Sequence, residues 1–499
     1  MNFTQGKLYK LSLVALSIVL LFSVSRVQQT LNRDREQLGI TKNAPLENAP
    51  PVLAFTTVAL GGFRGLIANA LWIRANELQE EDKFFEMVQL ADWITKLEPR
   101  FVQVWMVQAW NMAYNISVKF TDPEDRWRWV QRGISLLRDE ALRYNPDETL
   151  LYRELSWFFQ HKMGQNLDDA HFHYKQQWFD LMHDLLGKRP DYDALLNPQT
   201  DEQKERVKVL RETYKMDPQI MKEIDERYGP LEWRLPDAHA IYWADVGRRR
   251  GKPEDQERLQ RSIYQTMQMS FRRGAIYESF DGAISLGPNL ENIANVSASY
   301  EELMNSDDPQ LQEQPKKGHK NFLKDAVYFL YMYNRHAEAR KWYGYLNEKY
   351  PTAITEYIEG LRAQSPNSNL PSKPSLDEYA ILRVTEDVGE TDVDRTTALV
   401  QALLQNSFMA LLQDEDDRAV NYANMARRVH ARFQTTTDGA HQRVGLRPLN
   451  EYRQRVLDLL LHPENGLPPE AAARLRTKLN LPVAPQSPGT GVTSSANNP

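Results

Sequence analysis

The side chains best suited to catalysis lie on one predicted helix that begins at Pro236. Asp237 and Asp245 are eight positions apart, so both carboxylates lie on roughly the same helix face, about 12 Å apart along the axis. Tyr242 and Trp243 stand beside them. A glycosidase uses two carboxylates about 5–10 Å apart, usually from different elements. Asp237 is more simply an acidic first-turn residue that faces the helix dipole.

Histidines are the next candidates, because four of them lie close together with several aspartates nearby. His171 and His173 are two positions apart, so one helix directs them to different faces and they cannot share a metal ion. The sequence contains no HExxH motif, and it has no cysteine, which excludes disulfides, thiolate metal sites and cysteine nucleophiles. We therefore predict ordinary packed or surface histidines, no metal ion and no cofactor.

Bulk composition bounds the class of protein. The chain has 499 residues, of which 26% are charged and 41% hydrophobic, values typical of a folded body. This length suits two to four ordinary domains or one extended repeat array. The formal net charge of −6 gives no support to nucleic-acid binding.

The amino-terminal segment predicts export to the cell envelope. Leu11–Val24 is uncharged and almost wholly apolar, with Lys7 and Lys10 before it. Its length fits the hydrophobic region of a signal peptide, and residues on both sides extend it to a marginal transmembrane span. Either it is cleaved near Ser23, or it is retained as a signal anchor. We favour the anchor, because Ser-x-Ser is a poor cleavage site. The expected protein is a single-pass membrane protein with its body on the extracytoplasmic (periplasmic) side.

Helix pairs account for much of the chain after residue 65. Lys320–Pro351 contains two amphipathic stretches of about fourteen residues, separated by a polar break and closed by proline. Leu66–Pro99 repeats the arrangement, and Ala75 and Ala109, 34 positions apart, each place a small residue in the middle of a helix. Neither helix of a pair can bury its apolar stripe alone, so pairs must stack on neighbouring pairs.

This pattern resembles the tetratricopeptide repeat (TPR) family. In Lys320–Pro351, Ala339, Tyr343 and Pro351 stand at the family's alanine, aromatic and proline positions, whereas Val327 replaces its glycine. Leu66–Pro99 matches in part. The resemblance implies an all-α fold: a right-handed α-solenoid of TPR-like hairpins, preceded by one N-terminal hydrophobic (transmembrane or signal) helix.

The resemblance also implies a groove on the concave surface, formed by the first helix of each pair, that binds a protein partner. The residues that map onto its lining are Asn69, Trp72, Asn76, Gln103, Met106, Trp110, Asn321, Lys324, Tyr328 and Tyr331. Amides, aromatic rings and a lysine suit an extended peptide backbone or a carboxylate end. We therefore expect a non-enzymatic scaffold for protein–protein interaction in the envelope. The alternative is a helical, toroid-like enzyme or binding protein that acts on envelope polysaccharide.

Composition and proline spacing divide the chain, and no stretch alternates long enough to predict a sheet. The expected segments are a signal anchor (1–31), a membrane-proximal linker (32–65), TPR-like repeats (66–279), an insertion loop (280–318), a TPR-like unit (319–366), a helical C-terminal region (367–482) and a disordered tail (483–499).

Overall fold

The structure is a computed structural model. It describes residues 15–20, 22–24, 26–27, 29–31, 33–34, 63–278, 284–304, 309–333, 335–364, 371–387, 393–437, 446–463 and 465–482. The predicted disordered tail, and most of the predicted linker over 32–65, lie outside these residues.

Contacts divide the chain into two units. The first comprises Met1–Ala70 with Lys96–Glu98, and the second comprises Leu71–Thr95 with Pro99–Pro499. In the first unit, the described residues between 15 and 34 are helical and exposed. Nowhere in the described ranges is a helix both long and apolar enough to cross a membrane.

The fold is all-α, with 21 α-helices among the described residues from Phe63 onward. The first twelve are α1 (Phe63–Glu80), α2 (Phe84–Leu97), α3 (Val102–Trp110), α4 (Pro123–Ser135), α5 (Leu142–Tyr144), α6 (Thr149–Trp157), α7 (His171–Leu186), α8 (Tyr192–Leu196), α9 (Asp201–Glu212), α10 (Pro218–Tyr228), α11 (Pro236–Arg250) and α12 (Pro253–Arg273). Turns of π-helix follow α3, α4 and α6, at Asn111–Ile116, Leu136–Ala141 and Phe158–Met163.

A short β-hairpin separates these helices from the rest. Its strands are β1 (Ala275–Glu278) and β2 (Ile284–Gly287), paired antiparallel with Ala275 opposite Gly287. The remaining helices are α13 (Ile293–Met304), α14 (Pro309–Met332), α15 (His336–Lys349), α16 (Ala353–Gln364), α17 (Leu376–Asp387), α18 (Val393–Leu412), α19 (Asp416–Thr437), α20 (Leu449–Leu460) and α21 (Pro469–Lys478).

Capping side chains and first-turn prolines mark where several helices begin. Asp122 caps α4, accepting a hydrogen bond from the Glu124 amide, and Pro123 takes the first helical position. Thr200 and Gln203 form a reciprocal capping box at α9. The helix pair predicted over 320–351 is present, because α14 packs on α15, and α11, the helix predicted to begin at Pro236, packs on α12.

The prediction of a loop over 280–318 was wrong, and so was the absence of strands. Residues 293–304 are helical, and Ile293, Val296 and Tyr300 are buried at helical spacing. The asparagines and serines of this segment suggested a loop, but burial of the apolar face outweighs their weak helix propensity. The strands escaped prediction because each has only four residues.

One large core cluster, rich in aromatic side chains, extends from Trp105 to Leu475 in the second unit, and two smaller clusters lie around Ala75 and around Phe179. Helix α14 packs against α13, α15, α17 and α18. From Asp325 to Leu330 every residue is buried. This part of the helix is therefore buried all round, rather than along one stripe.

Two glycines inside helices test the close packing. A methyl group at Gly247 would lie 2.5 Å from Cβ of Tyr152, whereas one at Gly344 would meet nothing within 4 Å. We expect Gly247→Ala to lower the free energy of unfolding by about 1–3 kcal/mol through overpacking. Gly344→Ala should raise it by up to about 1 kcal/mol, because alanine favours helix. Denaturant unfolding measures both, and equal effects would contradict the packing.

Candidate functional site

A surface groove of about 440 Å³ lies in the second unit. It lies where the end of α3, the exposed side of α6 and the first half of α12 come together. Its lining residues are Trp110, Arg153, Glu154, Trp157, Arg258, Arg261, Ser262 and Gln265. We refer to these eight residues as the groove.

The two tryptophans of the groove occupy equivalent positions in the chain. Trp110 is the last residue of α3 and Trp157 the last residue of α6, and each is followed at once by a turn of π-helix. A π-turn accommodates one extra residue per turn, which changes the direction of side chains on its two sides, and such turns are frequent at functional sites. Here both indoles remain about 40% exposed, at 41% and 40%.

A continuous aromatic array connects the two indoles. Trp110 stacks on Tyr114 with ring centroids 4.8 Å apart, and Trp157 stacks on His161 at 4.4 Å. Tyr114 and His161 join the two stacks through a 3.1 Å hydrogen bond between Oη and Nδ1. Burial raises the pKa of Tyr114 and lowers that of His161, so at neutral pH the hydroxyl donates to an uncharged imidazole.

Positive charge predominates at the groove. Arg153 and Arg258 are exposed, and neither has a carboxylate within ion-pair distance in the described part of the chain. Arg261 donates to Glu257 at 3.0 Å, an exposed pair that contributes little to stability. Glu154 is the acidic lining residue, and burial raises the pKa of its carboxyl. An anionic or carboxylate-bearing ligand therefore suits this surface.

A buried polar network supports the array from below. Lys162, in the π-turn after α6, donates to Asp168 at 2.6 Å and lies 5.2 Å from the Tyr114 ring centroid. Asp168 also accepts from the Tyr174 hydroxyl and from Arg126. Although burial alone would raise it, the Lys162 ammonium holds the pKa of Asp168 well below its usual range.

The predicted groove residues divide into three groups. Trp110 lines the groove. Trp72 is half-buried, with its ring 5.8 Å from that of Phe101, and Met106 packs against the core. The exposed ones are Asn69, which lies in the first unit, and Asn76, Gln103 and Asn321.

The predicted positions in the 320–351 unit do not form one surface. Tyr328 is fully buried in the core, at 0% exposure. It belongs to the part of α14 that is enclosed on all sides, so it cannot line a groove. Lys324 is half-buried, with its ammonium 5.8 Å from the Tyr357 ring. Tyr331 is half-buried, 4.7 Å from the ring of His336.

Seven of the eight groove residues were missed by the sequence prediction. One sequence pattern could have indicated four of them. These residues recur at intervals of three and four and therefore share one face of α12: Arg258, Arg261, Ser262 and Gln265. Trp157 gave a second signal, as an aromatic residue beside the charged Arg153 and Glu154. Nothing in the sequence indicated that α6 and α12 are neighbours.

The carboxylate pair considered for glycoside hydrolysis is not presented to a substrate. Asp237 is buried and accepts from Nη2 and Nε of the Arg273 guanidinium, at 2.9 and 3.0 Å. Asp245 is fully buried and bound by Arg248 and Arg249 of the same helix. Asp237 thus joins α11 to α12, and neither carboxylate lines the groove. Over the described ranges, no group of three or more histidine, aspartate or glutamate side chains could hold a metal ion.

In comparisons with known proteins, no family model, no curated protein and no solved structure matches this chain.

The exposed indoles should contribute little to stability. We expect Trp110→Leu and Trp157→Leu each to lower the free energy of unfolding by about 1 kcal/mol or less, as surface substitutions do. Trp178→Leu is the matched control, because this indole is 3% exposed and contacts Phe159 and His239. It should cost about 3 kcal/mol or more. Thermal unfolding measures all three, and a loss at Trp157 as large as that at Trp178 would assign the groove indole to the core.

Proposed function

We propose that this chain is a non-enzymatic helical-repeat scaffold that binds a partner protein through the groove. One observation carries the proposal: two exposed indoles, connected by an aromatic array, lie beside two exposed arginines, Arg153 and Arg258, for which the described part of the chain shows no ion pair. Tryptophan and arginine are the residues most enriched at binding hot spots. A monomeric protein gains little from keeping such side chains exposed.

The TPR resemblance supports the same surface. The family's ligand surface is formed by the first helices of successive pairs. Although α6 packs chiefly on α11, in chain order α3 precedes α4 as α6 precedes α7, which gives α3 and α6 equivalent places in the repeat. Both contribute a tryptophan to the groove. We propose on this basis that the hairpins form a TPR-like solenoid.

The groove fits an extended segment rich in acidic residues and proline. Carboxylates would pair with Arg153 and Arg258, and arginine binds planar carboxylates through two parallel hydrogen bonds. Flat, exposed indoles pack well against proline rings, as in grooves that bind polyproline segments. With a net charge of −6, the whole chain is poorly suited to nucleic acid.

The amino-terminal segment suggests where the scaffold works. Its described large apolar side chains are more than half exposed, among them Ile18 at 61% and Phe22 at 63%. Such a stretch needs an apolar partner, and Leu11–Val24 carries no charge. We propose that it anchors the protein in a membrane, with the body on the extracytoplasmic (periplasmic) side.

The polysaccharide alternative retains one supporting observation. Exposed indoles beside Glu154, a carboxyl with a raised pKa, would also suit a sugar ligand. A glycosidase needs a second carboxylate nearby, and the groove lining supplies none. The alternative therefore becomes binding of a glycan without hydrolysis. The peptide-binding experiment described next also tests it.

The binding test uses a fluorescent peptide that alternates aspartate and proline. We expect saturable binding to the full chain, measured by fluorescence anisotropy. Arg258→Gln should weaken it about tenfold, or about 1.4 kcal/mol, and Trp157→Leu by at least as much. Arg211→Gln, an exposed change on α9, is the matched control and should leave binding unchanged.

Two results would contradict the proposal. One is equal binding of a peptide that alternates lysine and proline. The other is binding of a soluble β-glucan, but not of the acidic peptide, with the same dependence on Trp157.

Acidity should strengthen the acidic peptide's binding. Because burial raises the pKa of Glu154, this carboxyl gains a proton at a higher pH than an ordinary glutamate. Protonation removes the negative charge beside Arg153, while the peptide's aspartates, with pKa values of about 3.9, stay ionised. Affinity should therefore rise as the pH falls from neutral, and the rise should begin at a higher pH than a glutamate with an ordinary pKa would give. Glu154→Gln should bind more tightly at neutral pH and lose this dependence, whereas an unchanged pH profile in that variant would contradict the assignment.

A further inference from the structure

A second pocket, of about 210 Å³, lies away from the groove between α7, β2 and the start of α20. Its lining residues are Phe172, His173, Lys175, Gln176, Ile284, Leu286 and Arg447. A smaller cavity shares four of them and extends to Arg273 and Asp394. We refer to the larger cavity as the Lys175 pocket.

Lys175 is a lysine that is almost completely buried. It is 2% exposed, and its ammonium contacts the Nδ1 atom of His171 at 2.9 Å, Oδ1 of Asn166 at 3.1 Å and the Gln165 carbonyl at 3.4 Å. All three partners are uncharged, and no carboxylate lies within ion-pair distance in the described part of the chain. A buried cation without an anionic partner is costly, unless a ligand supplies the anion.

The nearest carboxylates are already engaged. Asp237 and Asp394 both bind the guanidinium of Arg273, the first at 2.9 and 3.0 Å and the second at 3.2 Å. Asp394 also accepts from Asn166 at 2.8 Å. These bonds leave little negative charge for Lys175.

The pKa values of His171 and Lys175 are both lowered, in part by neighbouring positive charges. Burial, then Lys175, Arg273 and Arg447, lower the pKa of His171, which is therefore neutral and accepts the hydrogen bond from Lys175. Burial and Arg273 lower the pKa of Lys175 to about 7. An entering anion would restore the ordinary preference of Lys175 for its charged form.

Arg447 provides a second cation, and Phe172, Ile284 and Leu286 provide apolar walls beside the polar His173 and Gln176. Its guanidinium carbon lies 4.3 Å from the centroid of the Phe172 ring, and Nη1 lies 3.5 Å from Glu451, which is half exposed. Ile284 is buried and Leu286 half-buried beside the same space. The pocket thus combines two cations with apolar surface.

We propose that the Lys175 pocket binds a small organic carboxylate, whose charged end lies against Lys175 and Arg447 and whose apolar part contacts Phe172 and Leu286. This site is independent of the groove, because the two share no lining residue. A ligand there would bring α7, the β-hairpin and α20 together, and its absence would leave the peptide site intact.

Benzoate is the probe for this site, with benzamide as its neutral analogue and inorganic phosphate as an anion without an apolar part. Isothermal titration calorimetry of the full chain should give saturable binding of benzoate, and binding of the other two at least tenfold weaker. Arg447→Gln and Lys175→Met should each weaken benzoate binding at least tenfold. Lys341→Met, at an exposed position on α15, is the control and should bind as the unaltered chain does.

Lys175→Met removes a buried charge but leaves the acceptors of His171, Asn166 and Gln165 without this donor. Thermal unfolding therefore checks that Lys175→Met is folded, and benzoate should not raise its midpoint. Arg447→Gln, at a half-buried position, keeps the test independent of that substitution. Three results would overturn the proposal: no benzoate binding to the unaltered chain, equal binding of benzamide or phosphate, or benzoate binding that survives both substitutions.

Discussion

The structure depends most on one buried guanidinium. Arg273, the last residue of α12, is 3% exposed and binds Asp237 in the first turn of α11 and Asp394 in the first turn of α18. Each charge complements the dipole of its own helix end. One side chain thus ties the predicted repeat region to the C-terminal helices, and an unpaired charge at this position would cost about 3–5 kcal/mol.

The same network reaches both candidate sites. Asp394 also binds Asn166, in the loop that leads from the π-turn of α6 to α7. Lys162, just before that loop, and Asp168, within it, support the aromatic array under the groove. Asn166, in the middle of the loop, contacts Lys175. The groove and the Lys175 pocket therefore share a rigid support, although they present different chemistry: exposed indoles and arginines in the first, buried cations and apolar walls in the second.

The sequence predicted the helices that have clear boundary signals, but it did not predict which side chains come together in the groove. Proline at the first helical position and apolar spacing predicted α11 and the 320–351 pair. The failure at Tyr328 has a physical cause: residues 325–330 of α14 are buried on all sides, so the apolar stripe does not separate core from surface there. Trp110 was predicted, but its partners Trp157 and Arg258 come from distant helices. Only the tertiary fold brings these side chains together, and no local pattern encodes that.

Photo-crosslinking tests the central claim, that the groove is the surface on which a partner protein binds. A photoreactive residue would replace Gln265, in the groove, or Lys208, on the exposed side of α9 with its side chain 57% exposed. We predict one defined protein adduct from the Gln265 position, displaced by the aspartate–proline peptide, and no matching adduct from the Lys208 position. The same adducts from both positions, or a glycan adduct from Gln265, would contradict it.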